Sequence, residues 1–220
     1  FIIPASSGLF SGIDREQAVE ILTAVGATMQ NYSRGETIIR QWSSITHFYL
    51  IVSGEVHSYC RHHDGRRSVT GAFGPGDVFG LLFAFSDLRR NPSCAIATTD
   101  VTLIKIPIVN IINDETFLST RTHRRYLQNA VNAISQSAHN ARLRSFVLSH
   151  RSIEGRVSAY LNEISKRNNS AEFTIPFDRQ ELADFIEADR CALSVALSKM
   201  KRDGKLDYYK SRFKLIVPFE

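Results

Sequence analysis

The residues best suited to chemistry here are those that could grip a polyanion. Residues 190–214 hold eight lysines and arginines against two acids, directly after a stretch, 172–189, with six acids and one base. A solvated basic face would also read this way, but a charge swing at so short a boundary favours phosphate contact. The element that must position these charges is the segment 178–201. Leu182, Ala183, Phe185 and Ile186 form one apolar stripe, and Leu193, Ala196, Leu197 and Met200 recur at the spacing of one buried helix face. Asp178 with Glu181 three residues on predicts a capping box, and Asp189 is placed to cap the second helix. Only Glu187, Ala188 and Asp189 separate the two helices, so the chain must turn sharply and leave the second one projecting. This is the pattern of a helix-turn-helix, whose second helix enters the DNA major groove. An αα-hairpin inside a helical core is the competing reading.

The totals set the frame. With 220 residues, 43% of them hydrophobic, the chain is long enough for two compact domains with real cores. Net charge is +5, and residues 1–111 balance nine bases against nine acids, so the excess lies in the C-terminal half. Cys60, Cys94 and Cys191 are scattered without CxxC spacing, which argues against a zinc site, a cysteine-held iron–sulfur cluster and a disulfide framework, and fits a reducing cytoplasm. No apolar run approaches the ~20 residues of a membrane span. Phe1–Pro4 lacks the basic start and long apolar run of a secretion signal, and a first residue other than Met leaves room for residues upstream. Walker, GxSxG, HExxH and GxGxxG patterns are all missing, so no enzyme class is indicated.

The elements follow in order. Residues 1–30 read as an amphipathic helical entry, with Asp14 to Gln17 as a capping box ahead of Ala18, Ile21, Leu22 and Val25. From 31 to about 107, short β-rich runs appear at 37–39, 47–52, 56–60, 68–73 and 102–106, with Gly-containing turns between them. Asp64-Gly65 is a strong hairpin signal, and many short strands at this spacing make a barrel or jelly roll. Residues 113–149 predict one long helix, opened by Asn113, Asp114 and Glu115 and striped by Leu127, Val131, Ile134, Ala138, Ala141 and Leu148. Much of such a helix finds no core beside a small barrel, so self-association is the economical solution; docking on the barrel is the alternative. A hinge at 150–152 precedes another amphipathic helix at 153–161. Residues 173–177 read as a strand, and 206–209 with 212–217 as a hairpin, or wing, turning at Lys210 and Ser211.

In this order and spacing, several segments together resemble the Crp/Fnr family of bacterial transcription regulators. They are Tyr49-Leu50-Ile51-Val52-Ser53-Gly54-Glu55-Val56, Gly74-Pro75-Gly76-Asp77-Val78-Phe79-Gly80, Gly155-Arg156-Val157, Arg179-Gln180-Glu181-Leu182-Ala183-Asp184 and Leu193-Ser194. The resemblance implies an α+β protein with an N-terminal double-stranded β-helix (a cyclic-nucleotide-binding-like jelly roll) over 1–112. A dimerisation helix and hinge over 113–150 and a winged helix-turn-helix over 151–220 would follow. It also implies a cytoplasmic, ligand- or signal-responsive homodimer that binds palindromic promoter DNA, and meets RNA polymerase if it activates. The alternative is a degenerate sensory module that acts through protein contacts alone.

Departures from the family pattern shape the expected sites. Cyclic-AMP-binding members carry Glu where this chain has Leu81, and an Arg-Ser pair where it has Pro92-Ser93. A phosphodiester buried without a guanidinium is poorly compensated, so cyclic AMP is not expected to bind in the usual way. The effector segment would comprise Phe79, Gly80, Leu81, Leu82, Arg89, Arg90, Ser93 and Cys94, met by Tyr126 and Asn129 of the long helix. An aromatic or carboxylate-bearing metabolite suits it better than a nucleotide, with a filled, ligand-free core as the alternative. Haem is a further option, since some relatives use His or Cys ligands, but His57, Cys60, His62 and His63 flank an exposed turn where histidines are more often solvated. No metal site is expected. On the DNA side, the resemblance places base-edge contacts at Arg190, Cys191, Ser194 and Val195. Cys191 and Val195 stand where relatives commonly have Glu and Arg, so direct reading would rest on Arg190, with Ser194 and Ser198 assisting. Arg179, Gln180, Lys199, Lys201 and Lys210 would hold phosphates. Glu187 replaces the usual turn glycine, which calls the turn geometry into question.

Overall fold

A computed structural model describes residues 1–84, 90–108 and 120–216 of the chain. They form two compact units, Phe1–Arg61 with Gly71–His139, and His62–Thr70 with Asn140–Glu220.

The first unit opens with a 3-10 turn at Gly8–Phe10 and helix α1, Arg15–Ala24, whose first turn is closed by the Asp14 carboxylate accepting the Gln17 N–H at 2.8 Å. Ala18, Ile21, Leu22 and Val25 are all buried, as their spacing predicts. The strands are β1 Thr28–Tyr32, β2 Thr37–Ile39, β3 His47–Ser53, β4 Val56–Arg61, β5 Arg67–Phe73, β6 Val78–Phe79, β7 Cys94–Ala97 and β8 Val101–Pro107. Two four-stranded sheets result, ordered β1-β8-β3-β6 and β2-β7-β4-β5. This is the two-sheet arrangement of a jelly roll. Residues 28–30 belong to β1 rather than to the helical entry, and β6 and β7 carry too few alternating residues to show in the sequence. Gly54 turns the chain between β3 and β4 at φ 84°, and a Cβ there would sit 2.2 Å from the Asp100 carbonyl oxygen, so no other residue fits. Asp64-Gly65 forms the expected turn, with Gly65 at φ 82° and the His62 N–H bonded to the Arg66 carbonyl at 2.9 Å.

Short helix α2, Leu81–Ala84, follows β6. Helix α3, Arg121–Ser149, is the long helix. Its expected opening at Asn113–Glu115 lies outside the described residues, as does Arg89. Tyr126 and Ala130 of α3 enter a core with Leu9, Phe10, Phe48, Leu81 and Ile106, while Leu127 and Ile134 pack at its margin. Val131, also on the predicted stripe, is 59% exposed.

In the second unit, helix α4 is Ile153–Asn168, longer than predicted, capped by the Ser152 hydroxyl, which accepts the Gly155 N–H at 3.0 Å. Strand β9 covers only Glu172–Thr174; Ile175 and Phe177 are buried but not paired as a strand. Helices α5, Arg179–Phe185, and α6, Arg190–Arg202, precede strands β10, Leu206–Tyr209, and β11, Arg212–Leu215. The three strands form one antiparallel sheet ordered β10-β11-β9. Tyr160, Phe177 and Phe185 stack around one another with centroids 4.9–6.0 Å apart, which seats α4 and α5 in the core.

Candidate nucleic-acid interface and effector segment

The helix-turn-helix is fixed at both ends by the predicted caps. The Asp178 carboxylate accepts the Glu181 N–H at 2.8 Å while Glu181 accepts the Asp178 N–H at 2.9 Å, a reciprocal capping box. The Asp189 carboxylate accepts the Cys191 and Ala192 N–H groups at 2.8 and 3.0 Å. Between them Glu187 sits at φ 53°, the left-handed conformation that glycine usually supplies. The Ala188 N–H reaches the Ala183 carbonyl at 2.9 Å, which closes α5 as a Schellman cap. The turn geometry is therefore kept without glycine, at a strain of roughly 1–2 kcal/mol.

Three side chains hold Glu187 in place. The Arg144 Nη2 donates to its Oε1 at 2.9 Å and the Ser68 hydroxyl lies 3.4 Å from the same oxygen. Arg156 donates through Nη1 to the carbonyls of Ile186 and Glu187, at 2.9 and 3.1 Å, and through Nε to that of His150 at 2.9 Å. Arg156 was noticed in the sequence only as part of a signature; its role needed the turn's open carbonyls to be seen. Beside it, Arg67 Nε and Nη2 both donate to Asp184 Oδ2, at 3.0 and 2.9 Å.

Leu193, Ala196, Leu197 and Met200 bury one face of α6, and the opposite face presents Arg190, Cys191, Val195, Ser198 and Arg202. Val195 is 70% exposed, a large apolar group with nothing in this unit to cover it. Ser194 is half-buried, its hydroxyl donating to the Arg190 carbonyl at 2.9 Å. The expected phosphate-holding residues are more committed than their sequence suggests. Lys199 pairs with Glu154 and Lys201 with Asp207, each at 2.6 Å, and both partners hold the ammonium groups above their ordinary range. The Arg179 guanidinium lies over Tyr208, 4.9 Å from the ring centroid, and burial followed by nearby Arg190 lowers its pKa. The Gln180 amide donates to Asp184 at 2.8 Å. At the wing tip Tyr209 is 74% exposed, and Lys210, at φ 53°, lies 5.6 Å from its ring. Arg202 and Tyr209 join this surface without having been singled out in the sequence. Helical phase could have flagged Arg202, four residues after Ser198; nothing local distinguished Tyr209 from its half-buried neighbour Tyr208.

The effector segment looks different. Phe79 stacks on Tyr49 at 5.0 Å, inside a core with Ile39, Ile51 and Leu103, and burial pushes the Tyr49 hydroxyl up to about 12, with Tyr32 adding to the effect. Leu81 faces the other core and is 2% exposed. Tyr126 is fully buried 5.5 Å from Phe10, and the Asn129 amide donates to the carbonyls of Leu9 and Ser11 at 3.0 and 2.9 Å. The two long-helix residues expected to meet an effector hold the chain's own N-terminal segment instead. Gly80 lies between Phe79 and Leu81 of the two cores, half-buried Leu82 follows, Cys94 is buried in β7, and the Ser93 N–H donates to the Asn91 side chain at 3.2 Å. Arg90 is exposed, its backbone bridged to Ser44. The structure thus scatters these residues over two cores, buried strand β7 and the segment just before it. Among the described residues, no group of His, Cys, Asp or Glu is arranged to hold a metal ion.

Comparison with known proteins agrees with this architecture. Residues 29–113 match the model of the cyclic nucleotide-binding domain, and residues 155–218 that of the Crp-like helix-turn-helix domain. The chain is 28% identical over 195 residues to the nitrogen fixation regulation protein FixK of Bradyrhizobium diazoefficiens, covering 86% of this chain and 78% of that protein. It is 25% identical over 212 residues to a CRP-like cAMP-activated global transcriptional regulator of Mycobacterium tuberculosis, covering 92% and 89%. Its fold is similar to that of FixK2 from Bradyrhizobium japonicum, with a TM-score of 0.67 and 22% identity over 87% of this chain and 93% of that one.

Proposed function

Because the chain belongs to the Crp/Fnr family of transcription regulators, we propose that it is a signal-responsive bacterial regulator that binds palindromic promoter DNA as a homodimer. The observation that carries this reading is the outward face of α6, held at a defined angle by two caps and by Arg156. In this reading residues 1–112 receive the signal, 113–150 pair the subunits and 151–220 bind DNA. Arg190 supplies the bidentate donor for a guanine edge, and Ser194 and Ser198 supply hydroxyls. Lys199, Lys201, Lys210, Arg179 and Gln180 serve the phosphates, the two paired lysines after exchanging Glu154 and Asp207 for the backbone. Exposed Val131 and Phe146 on α3 support pairing through that helix. Two-fold symmetry then sets the reading helices about 34 Å apart, one DNA turn. The chain acts in the cytoplasm, contacts RNA polymerase where it activates, and carries out no catalytic step. No described helix is long and apolar enough to cross a membrane.

Cys191 and Val195 favour a second reading, in which the module works through protein contacts without sequence-specific DNA binding, because neither side chain can read a base edge bidentately. Selection from random duplexes followed by mobility shifts at stepped salt separates the two. The regulator reading expects an enriched palindrome whose affinity falls steeply and linearly on a log–log salt plot. Failure to enrich any sequence would leave only the second reading.

A further inference from the structure

Phe79 and Leu81 of the signature segment are packed into two cores, and among the described residues an opening lies apart from them. A cleft of about 260 Å³ opens beside β2 and the loop 40–46. Its apolar wall is Ile39, Ile45 and Tyr49, all nearly buried. Its polar wall is Thr37, Arg40 and Ser44, all exposed. Among the described residues, no carboxylate pairs with the Arg40 guanidinium, no hydrogen bond is made by the Thr37 or Ser44 hydroxyl, and no Asp or Glu lines the cleft. His47, the other titratable wall residue besides Tyr49, has its pKa lowered by burial and by Lys105 and stays neutral at pH 7. Among the described residues, Arg40 is therefore the single cation of a cleft rich in donors and poor in anions.

The loop that frames the cleft is held rigidly. The Gln41 side chain accepts the Arg61 N–H at 3.1 Å, and the Trp42 N–H donates to the Asn91 carbonyl at 2.6 Å. Trp42 itself is at φ 64° and 61% exposed, a costly conformation for a bulky residue and one that persists only where the surroundings over-determine it. The far wall abuts the signature segment: a methyl on Gly80 would touch Ile39 Cδ1 and the His47 carbonyl oxygen at 3.6 Å.

We propose that this cleft, rather than the Phe79–Leu82 segment, binds a small organic acid, its carboxylate on Arg40 with Ser44 and Thr37, its apolar body against Ile39, Ile45 and Tyr49. A small volume, one cation and an apolar wall select a compact monocarboxylate over a nucleotide. That the acid is the regulator's signal rests on the function proposed above; the binding does not. Contact with Ile39 and His47 gives an occupant purchase on Gly80 and α2, whose Leu81 shares a core with Tyr126 of α3.

Trp42 is the only tryptophan, so its emission reports the loop directly. The test titrates the full chain with benzoate, with benzamide as the neutral isostere and inorganic phosphate as the anion without an apolar body. A saturable emission change with benzoate, absent with benzamide, and weakened about tenfold or more in Arg40→Gln supports the site. Ser44→Ala should weaken it less, and both variants should keep the wild-type circular dichroism, since both side chains are exposed. No saturable change up to roughly 10 mM, below which even weak specific sites fill, would overturn it, as would equal responses to benzoate and phosphate or an unaltered Arg40→Gln. Mobility shifts on the selected palindrome without benzoate test the regulator separately. DNA binding without benzoate binding sinks the cleft alone; the reverse sinks the regulator reading alone.

Discussion

The reading helix and the signature segment of the β-roll are equally recognisable in sequence, yet the fold uses them in opposite ways. On α6 one face is spent on the core, and Arg190, Cys191, Val195 and Ser198 are left outward with a fixed backbone beneath them. At Phe79 and Leu81, and in the Tyr126 and Asn129 expected to face that segment, the side chains are taken up by packing and by hydrogen bonds to the chain's own N-terminal segment. A surface for a partner is visible in the first region. The second is an interior. A family signature therefore locates a backbone conformation dependably, while the availability of its side chains has to be read from burial.

The comparison breaks most readily at Tyr126. If that region is a packed interior, Tyr126→Ala should lower the unfolding free energy by about 4 kcal/mol in denaturant titrations without any ligand. A loss under about 1 kcal/mol would mean that the ring lines an open pocket. The opposite pattern is expected at Arg190. Arg190→Ala should leave stability within about 0.5 kcal/mol of wild type, yet remove roughly 1–3 kcal/mol of discrimination at one base pair in competition mobility shifts. Lys201→Ala should instead weaken every sequence alike and reduce the salt slope by about one. Retained operator preference in Arg190→Ala would show that α6 sits in another register.

A smaller effect sharpens the account of the turn. Glu187→Gly relieves the left-handed strain and Glu187→Ala keeps it, while both lose Arg144 and Ser68 as partners. The glycine variant should therefore be the more stable of the two by about 1 kcal/mol in thermal or urea unfolding. Equal stabilities would mean that the turn relaxes when the side chain goes.

The smallest effect concerns Asp77, just before Phe79. Burial raises its pKa more than the Gly74 N–H, bonded at 2.8 Å, lowers it. The sign follows from linkage. The protonated form suits the fold better, so Asp77's contribution is fully present below the ordinary carboxyl value of 3.8 and is lost as pH rises through its raised folded value. Asp77→Asn should therefore gain on wild type as pH increases through that window, measured as the difference between their unfolding free energies. A constant difference across the window would show that Asp77 is solvated.

Much of the fold was legible because its signals are local. The caps at Asp14, Asp178 and Asp189, the Asp64-Gly65 turn and the helical stripes each depend on residues within one or two turns of each other. Strands β6 and β7 escaped because two and four residues show no alternation, and residues 28–30 because a strand can follow a helix after a turn as short as Gly26-Ala27. The left-handed turn was the instructive case. Glycine's absence at 187 suggested altered geometry, but Arg144, Ser68 and Arg156, from 31 to 119 residues away, stabilise the conformation instead. The pairing of Lys199 with Glu154 and of Lys201 with Asp207, and the consumption of Asn129 by Leu9 and Ser11, are likewise long-range facts that no spacing encodes.

Arg156 has a mechanical consequence. One rigid, planar group grips the first carbonyl of the hinge, at His150, and the apex of the turn that launches the reading helix, at Ile186 and Glu187. A joint made this way has little backlash: a twist arriving at His150 is handed to α6 as rotation rather than dissipated in loop motion. Lysine there would keep the charge and lose the fork, leaving a hinge with play in it.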